Sequence, residues 1–238
     1  SIVDAIARAS DAMAHRGPDG EGLWHTELSA PGVILAHRRL AIIELSELGA
    51  QPMIDPVSSC VVSFNGEIYN FQQLRKALIA EGVEFISHSD TEVVLKSYVR
   101  WGEGCVNHLE GMFAFAIYDP EKKQVFIARD PTGIKPLYYS VISDEQGNAT
   151  LLFASEVKTL LASGLVERRL DPEALATYLW NGFVIEPLSI VKAVHQLPAG
   201  HSLTVDMDAS FVDACYWENL VRTPRPDFDK KAFYKSLE

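Results

Sequence analysis

The sequence predicts an α+β domain, with antiparallel strands building the sheets and helices packed outside them. Three observations lead there. Strand-forming runs come in pairs joined by short polar turns, as in residues 113–119 and 124–129. Few strand–helix–strand spacings of the kind that builds parallel sheets occur. Helical patterns occupy separate stretches, chiefly residues 1–14, 71–80 and 91–101.

The elements follow in chain order. Residues 1–14 predict a helix, with Ile2, Ile6, Ala9 and Met13 on one face. Ser1 and Asp4 have the spacing of a capping box, which marks its start. Gly17-Pro18-Asp19-Gly20 then breaks the chain. Residues 33–38 and 60–64 predict strands, and Asn65-Gly66 reads as a tight turn directly after the second. Residues 113–119 and 124–129 pair about a Pro120-Glu121-Lys122-Lys123 turn, and residues 137–141 and 150–154 flank a polar loop. Asp171-Pro172 opens another helix, the aspartate as cap and the proline in the first turn. Residues 201–206 are a late strand. Residues 222–227, with two prolines, read as a linker, and a helix starts over residues 229–238. Residues 1–216 are therefore assigned to one domain, and residues 217–238 to a linker and the first helix of a further one.

With 238 residues and 47% hydrophobic content, a sizeable core can form. The net charge of −11 opposes a nucleic-acid partner and docking on an anionic membrane surface. No apolar run approaches the roughly 20 residues of a membrane span. The early charges at Asp4 and Arg8 do not suit a signal peptide, so a cytoplasmic location is expected. Cys60, Cys105 and Cys215 are odd in number and lack paired spacing, which fits reducing surroundings and excludes a cysteine-based zinc site. His15, His37, His88 and His108 have no metal-ligand spacing either, and no metal site is expected. Gly17, Gly20 and Gly22 lack the preceding strand and the following Lys-Ser/Thr of a phosphate loop.

Four segments carry a resemblance when read together: His15-Arg16-Gly17-Pro18-Asp19, His37-Arg38-Arg39-Leu40-Ala41-Ile42, Phe64-Asn65-Gly66-Glu67-Ile68-Tyr69-Asn70 and Ser89-Asp90-Thr91-Glu92. In this order and spacing the chain resembles the class II glutamine amidotransferases. The run from Arg129 to Tyr139, the run Phe153-Ala154-Ser155-Glu156-Val157-Lys158, and Leu197-Pro198-Ala199-Gly200-His201 narrow the resemblance to the asparagine synthetase branch. It covers nearly the whole chain. It implies the amino-terminal-nucleophile fold, a four-layer αββα sandwich of two stacked antiparallel sheets.

The resemblance also implies an activity, hydrolysis of glutamine to glutamate and ammonia. The family's nucleophile is a cysteine at the mature amino terminus, and no Cys-Gly-Ile start is present here. The expectation is that this chain as written lacks its first strand and is inactive. Asn65 and Gly66 match the oxyanion hole, where an amide NH₂ and a backbone N–H stabilise the tetrahedral intermediate. The dipeptide alone fits a plain hairpin turn better, and it is the surrounding matches that favour the oxyanion hole. Arg39 matches the position that grips the substrate α-carboxylate, and Asp90 the one that holds the α-ammonium. Surface charge for Arg39 and helix capping for Asp90 stand beside those readings. Ile42, through its backbone, and Glu67, through its side chain, match supporting contacts. Arg16 and Asp19 match without an assigned role.

The implied partners are glutamine, a synthetase domain of the same polypeptide, and a second copy in a homodimer. No cofactor is expected in this domain, while ATP and magnesium belong to the synthetase domain, where ammonia amidates aspartate. An amidotransferase with another acceptor is the nearest alternative, and a catalytically silent domain of this fold is the other.

Overall fold

The computed structural model describes residues 1–27, 32–40 and 46–218. The expected linker and helix over residues 222–238 lie outside the described residues. The chain opens with α1 (Ile2–Asp11), whose start is a capping box between Ser1 and Asp4. Its buried residues are Ala5 and Ala9. Ile2 is exposed, so the buried face is offset from the expected one. The helix stops at Asp11 rather than running to residue 14, and a 3₁₀ turn over Ala14–Arg16 follows.

β1 (Gly20–His25) and β2 (Ile34–Arg39) form an antiparallel pair. β1 is not among the expected strands, because Gly17-Pro18-Asp19-Gly20 reads as a break just where it begins. Gly22 serves a close approach: a Cβ there would lie 2.0 Å from the Gln51 carbonyl oxygen. After β3 (Met53–Ile54) comes β4 (Val61–Ile68), which runs straight through Asn65 and Gly66. The expected tight turn at Asn65-Gly66 is therefore wrong. Both residues pair in register with β5 (Gly111–Asp119), Asn65 opposite Ala114 and Gly66 opposite Phe113. Gly66 is needed inside the strand because a Cβ would sit 2.3 Å from the Met112 carbonyl oxygen.

Between these strands lie α2 (Phe71–Ala80) and α3 (Asp90–Trp101). β6 (Gln124–Arg129), β7 (Tyr138–Ser143) and β8 (Ala149–Ala154) follow, then α4 (Val157–Ala162) and α5 (Pro172–Asn181). β9 (His195–Gln196), β10 (His201–Asp206) and β11 (Phe211–Cys215) complete the described chain. Every strand pair among the described residues is antiparallel.

Alternation along the strands assigns the layers. On one face of the six-stranded sheet β11-β10-β6-β5-β4-β3, Phe113, Phe115, Ile117 and Phe126 pack with Val93, Leu95 and Tyr98 of α3 and Leu74 of α2. On the other face, Ala114, Ala116, Val125 and Ile127 pack with Leu35 of β2 and Leu137, joined by Trp24 of β1 and Leu151 and Phe153 of β8. The outward residues of β8, Leu152 and Ala154, pack with Leu160 of α4, joined by Ile6 of α1. The result is helices, six-stranded sheet, second strand layer, helices, as the αββα expectation required.

The second layer has a break. Among the described residues β2 pairs only with β1, and β8 pairs with β7 in the separate sheet β8-β7-β9. A cavity of about 450 Å³ occupies this interval. β4 and β5 form its floor, β2 and β8 its walls, and α1 and α4 its roof.

Candidate active site

Arg39, Asn65, Gly66, Glu67 and Asp90 all line that one cavity. They come from the end of β2, the middle of β4 and the first residue of α3. Ile42 lies outside the described residues.

The edge of β4 explains how Gly66 is presented. β3 pairs only with Val61 and Val62, so the ladder on that side ends early. On the other side Tyr69 N–H donates to the Glu110 carbonyl at 2.7 Å, which sets the phase of the β4–β5 ladder. Hydrogen-bonded pairs alternate with non-bonded ones, so the pair Gly66–Phe113 is non-bonded. The Gly66 N–H is thereby turned away from β5. Its two neighbours on the same edge are held by side chains. Phe64 N–H donates to Gln51 Oε1 at 2.7 Å, and Ile68 N–H donates to Asp90 Oδ2 at 3.1 Å. Gln51 Nε2 also donates to the Phe64 carbonyl at 3.2 Å and to Thr91 Oγ1 at 3.3 Å. Sequence reasoning missed Gln51; no local pattern marks a glutamine that completes a strand edge.

The Asn65 side chain projects from the face of β4 that carries Val61 and Ser63, between the two strand layers. Its Nδ2 is buried and has no hydrogen-bond partner among the described residues. A buried donor left unsatisfied costs roughly 1–3 kcal/mol, so such groups call for an explanation.

Asp90 is not the helix cap. Ser89 takes that role, its Oγ accepting from Glu92 N–H at 3.2 Å. The Asp90 carboxylate is thereby left to face Ile68 and the cavity. Burial raises its pKa above the ordinary carboxylate value; the nearby charge of Glu67 adds to the rise, and the hydrogen bond from Ile68 opposes it. Two carboxylates at one end of a cavity suit a cationic group. Arg39 lies on the same cavity and donates through Nη2 to the Ser46 carbonyl at 2.9 Å. Arg16 donates to Glu156 Oε1 at 3.1 Å, tying the 3₁₀ turn to the start of α4. Asp19 N–H donates to the Arg39 carbonyl at 3.0 Å and fixes the end of β2.

His37 lines the same cavity, with Nδ1 and Ser63 Oγ 3.3 Å apart. Burial, helped by the charge of Arg39, pushes its pKa from 6.5 down to about 4. The unfolded chain binds this proton near pH 6.5 and the folded chain only near pH 4. The stability His37 contributes is thus complete above 6.5 and is lost as pH falls through that window. The loss is roughly 3 kcal/mol at most. Urea denaturation from pH 7 to 4 should show His37→Gln losing less stability than the parent. Parallel curves for the two would refute it.

None of Cys60, Cys105 or Cys215 lines the cavity. Cys105 is fully buried, and burial pushes its thiol up to about 12. Ser1 Oγ is engaged with Asp4 on the exposed start of α1.

Comparison with known proteins gives a family, relatives and a structural neighbour. A family model described as a glutamine amidotransferase domain matches residues 2–217. The chain is 37% identical over 204 residues to asparagine synthetase [glutamine-hydrolyzing] 3 of Bacillus subtilis (strain 168), covering 84% of this chain and 32% of that protein. It is 34% identical over 247 residues to the putative asparagine synthetase [glutamine-hydrolyzing] 2 of Methanocaldococcus jannaschii, covering 97% and 46%. Amidase chry2 of Gibberella zeae matches at 34% over 221 residues, covering 91% and 31%. The chain thus spans about a third to a half of the length of these relatives. Among solved structures, the glutamine phosphoribosylpyrophosphate amidotransferase from B. subtilis, complexed with ADP and GMP, aligns with a TM-score of 0.63 at 18% identity, over 90% of this chain and 47% of that one. That likeness supports the fold alone.

Proposed function

The chain belongs to the glutamine amidotransferase family, and from that premise we propose that the cavity binds glutamine for hydrolysis to glutamate and ammonia. One observation carries the reading. A guanidinium, a buried carboxylate and an amide donor with no partner among the described residues, from separate parts of the chain, line one cavity. Glutamine has the complementary groups: an α-carboxylate for Arg39, an α-ammonium for Asp90 and Glu67, and a side-chain carbonyl for Asn65.

In this mechanism a cysteine from a segment preceding Ser1 supplies the thiolate. Among the described residues β2 and β8 are not paired with each other, and the segment would enter the second layer between them. The thiolate attacks the amide carbon, and negative charge develops on the amide oxygen. Asn65 Nδ2 and the Gly66 N–H stabilise that oxygen. The tetrahedral intermediate expels ammonia after its nitrogen takes a proton, leaving a thioester. Water then cleaves the thioester to glutamate and the free thiol.

The names of the relatives favour aspartate as the ammonia acceptor, in a synthetase domain of the same polypeptide that uses ATP and magnesium. The match to an amidase favours a second reading, in which the same glutaminase half serves another acceptor.

Asp90 must be ionised to hold an ammonium, and burial raises its pKa. Glutamine affinity should therefore fall as pH drops, beginning above the ordinary carboxylate range. Asp90→Asn should weaken binding by roughly 10- to 100-fold, the loss of one charged hydrogen bond, and should remove this pH dependence. Calorimetric titration of a polypeptide that includes the preceding segment measures both. An Asp90→Asn variant that binds glutamine as the parent does would defeat the assignment.

A further inference from the structure

α5 faces the wrong way for a surface helix. Of its residues only Ala174 is buried. Leu175, Tyr178, Leu179 and Trp180 are exposed, with Leu179 at 75% and Trp180 at 90%. Phe183 and Ile185 extend the exposed apolar surface past the helix. At 100° per residue, Leu179 and Trp180 flank the direction opposite Ala174. Residues 174–185 contain no charged side chain. A solvated helix normally carries charge on its outer face, and apolar patches of this kind mark interaction sites.

Hydrogen bonds through Arg129 link Tyr216 to Glu186, the residue after Ile185. Tyr216 Oη donates to the carbonyl of Arg129, and Arg129 Nη1 donates to Glu186 Oε1 at 2.8 Å. One buried arginine thus joins residue 216 to the end of the apolar segment. More than half of each relative's length lies outside its match to this chain.

We propose that the outer face of α5, with Phe183 and Ile185, is the docking surface for a further domain of the same polypeptide. The proposal rests on the reading above only in requiring that such a domain exists. Its readout is not glutamine turnover, so the two fail separately.

Hydrogen exchange of peptides covering residues 172–185 tests it, comparing the 238-residue chain with the longest polypeptide that its gene encodes. In the longer protein exchange should slow by roughly tenfold or more, the protection given by about 1.4 kcal/mol of docking free energy. Leu179→Asp with Trp180→Asp in the longer protein should restore fast exchange. The same pair in the 238-residue chain should leave its Tm nearly unchanged, because both side chains are exposed. Equal exchange in the two proteins would overturn the proposal, as would protection that survives the double substitution. Slow exchange in the 238-residue chain that deepens with its concentration would also overturn it and assign the face to a second copy.

Discussion

The 238-residue chain is expected to release no measurable ammonia from glutamine, while a polypeptide carrying an amino-terminal cysteine segment ahead of Ser1 turns glutamine over. The reason is local. The cavity holds groups suited to each end of glutamine, yet none of the chain's cysteines lines it. Cys60 and Cys105 are buried among the α3-side residues, and Cys215 is on β11. Ser1 is bound in its capping box on the exposed start of α1 and does not line the cavity. An amide is a poor electrophile, and transition-state donors alone do not supply a nucleophile. Among the described residues β1-β2 and β8-β7-β9 are separate sheets, and the cavity lies between them. Ammonia release should be measured for both forms, with a cysteine-to-alanine control in the longer one. Robust turnover by the 238-residue chain, or by the alanine control, would show that the nucleophile lies elsewhere.

Asn65→Ala, made where the cysteine is present, should lower kcat by roughly 10²- to 10³-fold, the usual loss for one oxyanion donor. KM should change far less, because the donor acts on charge that appears only in the transition state. Stability separates this role from a structural one. A structural asparagine would be hydrogen-bonded, and its removal would destabilise the fold. Asn65 Nδ2 is buried without a partner among the described residues, so its removal should leave the Tm unchanged or slightly higher. A raised KM with unchanged kcat would mean that Asn65 only positions substrate. A large fall in Tm would make it structural.

Much of this fold was legible in the sequence, and the failures have physical causes. The boundaries of α2, β6 and β10 came out as expected, because strong periodicity and clear turn residues enclose them. The capping box at Ser1 and the cap at Asp171 were legible for the same reason. Asn65-Gly66 misled because a glycine that lets two strands approach looks the same as one that makes a turn. Ser89-Asp90 offers two residues able to cap α3, and only the geometry gives the cap to Ser89 and leaves Asp90 to the cavity. The break at Gly17-Pro18-Asp19-Gly20 hid β1 altogether. The residues of the candidate site were named from the resemblance, but the partners that hold them were not. Gln51 on Phe64 and Ser46 on Arg39 are contacts between distant segments, which no local pattern encodes. The helix at α5 was legible, but not its outward apolar face, because periodicity reveals a face and not its neighbour.

The most direct test of the central claim is a crystal structure of the cysteine-bearing polypeptide, its nucleophile replaced by alanine, with glutamine bound. The expected result places the α-carboxylate on Arg39 and the α-ammonium on Asp90. The side-chain carbonyl oxygen should lie about 2.7–3.1 Å from both Asn65 Nδ2 and the Gly66 nitrogen. Glutamine bound outside this cavity, or inside it with Arg39 and Asp90 untouched, would contradict the assignment.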